Sequence, residues 1–151
     1  MANDTHGVRA RGWYGFDLDG TLAVYDGWKG IGHIGAPVAP MVALVRELHR
    51  RGEVVKVLTA RVSPRPEPET VPNPYWENHW CVQDPVTQTW AMKTPWTARE
   101  VIQEWCYRNI GFVPEITHEK DYAMLYLFDD RCVQVEPNTG RILGRLPPEM
   151  N

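Results

Sequence analysis

Apolar residues fall along this chain in short runs, each with its own period and each ended by a polar or glycine-rich stop. Residues 13–16, Trp-Tyr-Gly-Phe, form an aromatic and apolar run that breaks off at Asp17. The run has no helical period and predicts a buried strand. Residues 18–37 carry five glycines (Gly20, Gly27, Gly30, Gly32 and Gly35) and open on an Asp19-Gly20 turn signal. They predict a loop or small hairpin. From Pro40 the period changes. Met41, Leu44, Val45 and Leu48 form one stripe at helical spacing, and Pro40 suits the first turn. His49, Arg50 and Arg51 put positive charge at the negative end of that helix, and Gly52 ends it. Residues 53–58 then predict a second strand that stops at Thr59.

The pattern is lost over residues 62–93. Pro64, Pro66, Pro68, Pro72 and Pro74 exclude a helix between them. Residues 82–92 predict a β-hairpin about Asp84-Pro85, with Val86, Gln88 and Trp90 alternating with polar or small residues. Helical spacing returns near Thr94. Pro95 suits a first helical position, and Thr97 with Glu100 offers a capping box as an alternative start. Ala98, Val101, Ile102 and Trp105 make the apolar face, and 109–111 end the helix. Residues 112–117 predict a third strand. Residues 124–128 are wholly apolar, which predicts a fourth strand at the centre of a sheet, ending in Asp129-Asp130. Residues 133–135 and 141–143 flank a Pro-Asn-Thr-Gly turn and predict a terminal hairpin. Strand, helix, strand, helix, strand and strand predict an α/β fold: an open, mainly parallel, Rossmann-like sheet with flanking helices.

Composition narrows the class. A length of 151 residues suits a single domain over 1–151, and 43% hydrophobic with 23% charged residues excludes a disordered tail. A net charge of −3 argues against a dedicated binder of long nucleic acid. No apolar run approaches the ~18 residues of a membrane span, so no membrane partner is expected. The first twelve residues lack the apolar centre of a signal peptide. Cys81, Cys106 and Cys132 are odd in number and widely spaced, and His79 beside Cys81 brings no further ligand in step. Neither a disulfide framework nor a zinc site is implied, and a cytoplasmic location is expected. Five of the seven tryptophans lie between residues 76 and 105. Trp96 and Trp105 fall on or near the second helix and are expected in the core. Trp76, Trp80 and Trp90 fall in the irregular block, where substrate stacking, an interface and packing all remain open.

Ligands of an open parallel sheet bind beyond the carboxyl ends of its strands. There this sequence places Asp17 with Asp19, Thr59 with Arg61, His118 with Lys120, and Asp129 with Asp130. Contact with solvent accounts for any one polar strand end. It accounts poorly for two adjacent acids after the most apolar run. Carboxylates crowded into one crevice raise each other's pKa, and a divalent cation is the natural resolution. Oxygen-only ligands point to magnesium (Mg2+). Arg61 either grips a phosphate or substrate or simply pairs with a surface acid. His118 reads as a rim residue.

These residues also carry a resemblance. Phe16-Asp17-Leu18-Asp19-Gly20-Thr21-Leu22 resembles the first motif of the haloacid dehalogenase (HAD) superfamily. Leu58-Thr59-Ala60-Arg61 resembles its second motif, and Lys120 falls where its third-motif lysine is expected, with Lys93 as the competing position. Leu127-Phe128-Asp129-Asp130-Arg131 resembles its fourth, acidic motif. Asp121 stands where the commonest family pattern has proline after the lysine. The resemblance covers residues 13–61 and 95–135 and implies phosphoryl transfer through an aspartyl-phosphate. Asp17 would be the nucleophile. Asp19 would protonate the leaving oxygen and then activate water, a residue that phosphatases of the superfamily have and dehalogenases lack. Thr59 and Lys120 would hold phosphoryl oxygens. Magnesium would sit on Asp17, the Asp19 backbone carbonyl and Asp129, with Asp130 a ligand through water or a partner of Lys120. Thr21 would bond within the turn or assist the substrate.

Large members of that superfamily carry a cap domain. Here residues 62–93 suffice for a lid and hardly for a domain, so the expected cap is minimal. An open site accepts macromolecular ends, or small substrates where a second copy of the chain closes it. Thr-Ala-Arg and Asp-Asp-Arg are similar to the phosphatase domain of phage polynucleotide kinases, while no Gly-x-x-x-x-Gly-Lys-Ser/Thr kinase loop is present. The resemblance therefore implies a phosphorylated substrate, a nucleotide or nucleic-acid end, with a 3′-phosphate favoured. The acidic balance favours the mononucleotide over a long polymer. Two alternatives stand beside this reading: a phosphatase of sugar or metabolite phosphates, and a non-catalytic relative that binds phospholigands or protein.

Overall fold

Strands this short are held only by their neighbours, so pairing decides the architecture. A computed structural model of the chain describes residues 12–73, 81–83, 86–88, 90–92 and 95–150, with the backbone alone at 81–83 and 90–92. In chain order the elements are β1 (Trp13–Phe16), α1 (Ala39–Arg50), β2 (Val54–Leu58), a 3-10 turn (Ala60–Val62), β3 (Cys81–Gln83), β4 (Trp90–Met92), α2 (Ala98–Ile110), β5 (Glu115–Thr117), β6 (Met124–Phe128), β7 (Gln134–Val135), β8 (Ile142–Leu143) and a second 3-10 turn (Pro148–Met150). Four strands form one sheet in the order β5-β2-β1-β6, and every pairing within it is parallel. The α/β expectation holds. No helix among the described residues is long and apolar enough to cross a membrane.

Each helix follows its sequence signals. α1 buries Val42 and Val45, with Met41, Leu44 and Leu48 packed around them. Arg46 of α1 donates to the carbonyls of Asn109 and Ile110 at 2.9 and 2.7 Å, so a cation meets the unsatisfied carboxyl end of α2. Of the two starts open to α2, the capping box is the one used. The Glu100 carboxylate accepts from the Thr97 backbone N–H at 2.9 Å. Gly111 closes the helix in the left-handed region, φ 98°, donating to the carbonyls of Cys106 and Tyr107. The core lies between helices and sheet and includes Phe16, Leu18, Leu22, Val45, Val57, Ile102 and Ile110. Burying one such side chain contributes about 1.5–3 kcal/mol. Trp96 and Trp105 are buried as expected.

One expectation fails. The wholly apolar run at 124–128 predicts a strand at the sheet centre, yet β6 is an edge strand that pairs only with β1 among the described residues. Leu125 and Tyr126 are 43% and 67% exposed. An apolar run reports the character of its side chains, not how many strands flank it. What β6 packs against the core is Phe128, at its carboxyl end. Phe128 stacks on Phe16 with ring centroids 4.6 Å apart, and Tyr126 stacks on Tyr14 at 6.1 Å.

The smaller hairpins agree in part. β3 and β4 pair antiparallel, Cys81 opposite Met92 and Gln83 opposite Trp90. Val86 and Thr87 are turn residues and Gln88 has φ 60°, so the strand alternation expected from Val86 and Gln88 starts only at Trp90. The Asp84-Pro85 turn lies outside the described residues. At the base of this block Val71 and Trp96 exchange backbone hydrogen bonds of 2.8 and 2.7 Å. β7 and β8 pair antiparallel about Asn138 (φ 64°) and Gly140 (φ 75°), the predicted terminal hairpin.

Candidate active site

From β1 the chain builds outward through β2 to β5, then returns to lay β6 on the opposite flank of β1. The β1/β6 crevice is therefore the point where strand order reverses, the place where ligands settle on such sheets. Asp17 leaves the carboxyl end of β1 and Asp129 that of β6. Register places Phe16 opposite Phe128, and the Asp17 N–H continues the ladder to the Phe128 carbonyl at 2.9 Å. The two carboxylates are neighbours because the strands before them are in register.

Carboxylate oxygens of Asp17, Asp129 and Asp130 come within 4.8 Å of one another. Burial, hydrogen bonding to Asp130 and the Asp129 charge together raise the Asp17 pKa to about 7. The donor set is all oxygen, the kind that hard divalent cations such as magnesium take. Without a cation the cluster is electrostatically unfavourable.

The turn after Asp17 is tightly bonded. Ala23 and Leu22 donate to the Leu18 carbonyl at 2.9 and 3.0 Å, and Gly20 donates to Ala23 at 2.8 Å. Gly20 has φ 92°, and a Cβ there would lie 2.4 Å from Asp130 Oδ2. Only glycine lets this turn and the acid pair approach so closely. Thr21 is buried rather than facing the cavity. Its hydroxyl accepts from the Asp130 N–H at 3.1 Å, tying the first acidic loop to the last.

Asp19 meets Arg61. Arg61 Nε and Nη2 reach the two Asp19 carboxylate oxygens at 2.6 and 2.8 Å, a bidentate fork. The same side chain donates to the carbonyls of Ile31 (3.4 Å) and His33 (2.9 Å), and its guanidinium carbon lies 4.8 Å from the Trp28 ring centroid. Arg61 is buried, so it pairs with an acid of the site itself, not of the surface. Thr59 is buried beside it. Its hydroxyl accepts from the Arg61 N–H at 3.3 Å and caps the 3-10 turn.

A cavity of about 410 Å³ opens over these residues, lined by Asp17, Asp19, Thr59, Arg61 and Asp129 and by four residues not singled out from sequence: Tyr25, Trp28, Arg65 and Arg131. The signals were present for three of them. Tyr25 and Trp28 are aromatics in a glycine-rich loop next to the first acidic motif, and Arg131 follows the acid pair directly. Arg65 sits among the prolines, where nothing marked it.

Lys120 is exposed and is not among the residues lining the cavity. It lies near Cys132, whose thiol is pushed up by burial and by Asp129 and drawn the other way by Lys120. His118 contacts Glu119 at 3.2 Å. Asp121, in the position of the family's proline, accepts from the Trp13 indole at 2.7 Å and from the Ala123 N–H at 2.8 Å, shaping the turn into β6. Trp76, Trp80 and Lys93 lie outside the described residues, and Trp90 is placed only as a backbone position in β4. No family model, curated protein or solved structure matches the chain.

Proposed function

We propose that this chain is a magnesium-dependent phosphomonoesterase of the haloacid dehalogenase type with a minimal cap, acting on nucleotides or nucleic-acid ends, 3′-phosphates above all. The observation that carries the reading is the grouping of Asp17, Asp129 and Asp130 within 4.8 Å, with Asp19 in the same cavity. Asp17, Asp129 and Asp130 would hold the ion. Bound magnesium supplies the charge neutralisation that lets an anionic carboxylate approach an anionic phosphate.

In this reading an Asp17 carboxylate oxygen attacks phosphorus while the bond to the leaving oxygen breaks, giving an aspartyl-phosphate. Asp19 gives its proton to that leaving oxygen. It then takes a proton from the water that attacks the same phosphorus, releasing inorganic phosphate and restoring Asp17. Arg61, through its fork on both Asp19 oxygens, would be a positioning residue that sets Asp19 for the base step; one arm of the fork would open when Asp19 carries the proton it gives to the leaving oxygen. Thr59, which lines the cavity, would hold a phosphoryl oxygen.

The test is phosphate release across 3′- and 5′-nucleotides, end-phosphorylated oligonucleotides and sugar phosphates, with magnesium or with chelator. Release that needs magnesium and disappears in Asp17→Asn is expected. A wild type inert on the whole panel, or an Asp17→Asn variant as active as wild type, would sink the proposal.

A further inference from the structure

The flap between β1 and α1 is pinned at several points. Val24 donates to Ala36 at 2.8 Å, Val38 to Leu22 at 2.8 Å, and the Trp105 indole to Gly35 at 2.9 Å. Arg61 holds the Ile31 and His33 carbonyls from beneath. Between Gly27 (φ 125°) and Gly30 (φ 88°) this flap presents Trp28, half of whose surface is exposed, and before them Tyr25. Both line the cavity that holds Asp17 and Asp19. An exposed indole held against a buried guanidinium is not filling core. It is a prepared aromatic wall in a cavity that also presents Asp17, Asp19, Asp129, Arg65 and Arg131.

Its position in the reaction follows from one chain of contacts. Trp28 stacks on Arg61, and Arg61 forks onto Asp19. Resting on the phosphatase reading, Asp19 acts at the leaving oxygen, so whatever the leaving oxygen belongs to lies on the Trp28 side. We propose that Trp28, with Tyr25, is a ring-binding wall, and that the leaving group of the substrate carries a planar heteroaromatic ring: the base of a nucleotide unit. Arg65 and Arg131 line the same cavity and form no ion pair among the described residues, so they favour an anionic ligand. A cavity near 410 Å³ lies in the range of small-ligand sites. A free mononucleotide and a phosphorylated chain end share this chemistry.

The experiment compares adenosine 3′- and 5′-monophosphate and a 3′-phosphorylated oligonucleotide with ribose 5-phosphate, which lacks the base. Wild type, Trp28→Ala and Trp28→Phe are assayed for kcat/KM. Base stacking on an aromatic side chain predicts that the preference for base-bearing substrates falls about tenfold in Trp28→Ala and largely returns in Trp28→Phe. The faster of the mononucleotide and the oligonucleotide identifies the source. Turnover without base preference, or a preference unchanged in Trp28→Ala, overturns the wall and leaves the phosphatase standing. Equilibrium binding of the same ligands to Asp17→Asn separates the two claims from the other side. If no ester is hydrolysed, base-selective binding that Trp28→Ala abolishes supports the wall while the phosphatase falls, and binding indifferent to the base removes both.

Discussion

Asp17 joins the fold to its chemistry most directly, because the crowding that suits it to a cation is a liability without one. Its pKa of about 7 lies above the ordinary carboxylate value, so the folded state holds a proton that the unfolded chain has already lost near pH 4. Stability from this group is therefore lost as pH rises from about 4 to about 7, and the deficit is complete above that. In chelator, Asp17→Asn is expected to melt above wild type at pH 7.5, and the difference to vanish near pH 4. A difference equal at both pH values would refute the account. Magnesium should raise the wild-type midpoint at pH 7.5, because it binds the folded state. Arg61 gives the opposite case, a buried cation satisfied on every side. Removing one partner of a buried pair costs about 3–5 kcal/mol. Denaturant unfolding of Arg61→Met should show a loss of about 3 kcal/mol, and Arg61→Lys, which keeps charge without the fork, should recover stability better than it recovers kcat. A loss below about 1 kcal/mol would mean the pair is not buried in solution. The acids were legible from sequence because each follows an apolar run. The partnership of Asp19 with Arg61 was not, since 42 residues separate them and only the β1–β2 pairing brings them together.

Elements here are read well where a local signal decides them and poorly where neighbours do. The stripe of α1 and the Thr97-Glu100 box are local, and both helices form where those signals lie. The rank of a strand in a sheet is not local, so the apolar run at 124–128 gave no warning that β6 would be an edge. Register is likewise not local, and register sets Asp17 beside Asp129. The turn after β1 lies between these cases. Asp19-Gly20 is visible as a turn signal, but the reason for glycine is a distant one, the Asp130 carboxylate 2.4 Å from where a Cβ would stand. Two glycines in the left-handed region separate these effects. Gly52 has φ 80° with nothing near its missing side chain, so Gly52→Ala should cost about 1 kcal/mol of backbone strain and leave magnesium binding unchanged. Gly20→Ala bears the same strain and also displaces Asp130. Its magnesium affinity, measured by calorimetric titration, should fall while that of Gly52→Ala does not. Equal magnesium affinities in the two variants would show that the turn does not position the acid pair.

At the scale of the whole molecule the question is what the Pro/Trp block contributes. Among the described residues the buried core draws its members from residues 16–57 and 102–116, and the cavity lining comes from 17–65 and 129–131. The block is joined to this body where Val71 and Trp96 exchange two backbone hydrogen bonds. Its ends are thus already held together, and loop closure depends only weakly on length, about 0.6 kcal/mol for each doubling. Replacing residues 74–94 with a short Gly-Ser linker should therefore leave a cooperatively folding protein with a similar melting midpoint. The same variant weighs Trp76, Trp80 and Trp90 against Trp28. If the base is read by the flap, the shortened chain keeps both magnesium-dependent phosphate release and the preference for nucleotides over ribose 5-phosphate. If release persists but the preference disappears, the block rather than the flap reads the base. Loss of cooperative unfolding would show that the block belongs to the core after all.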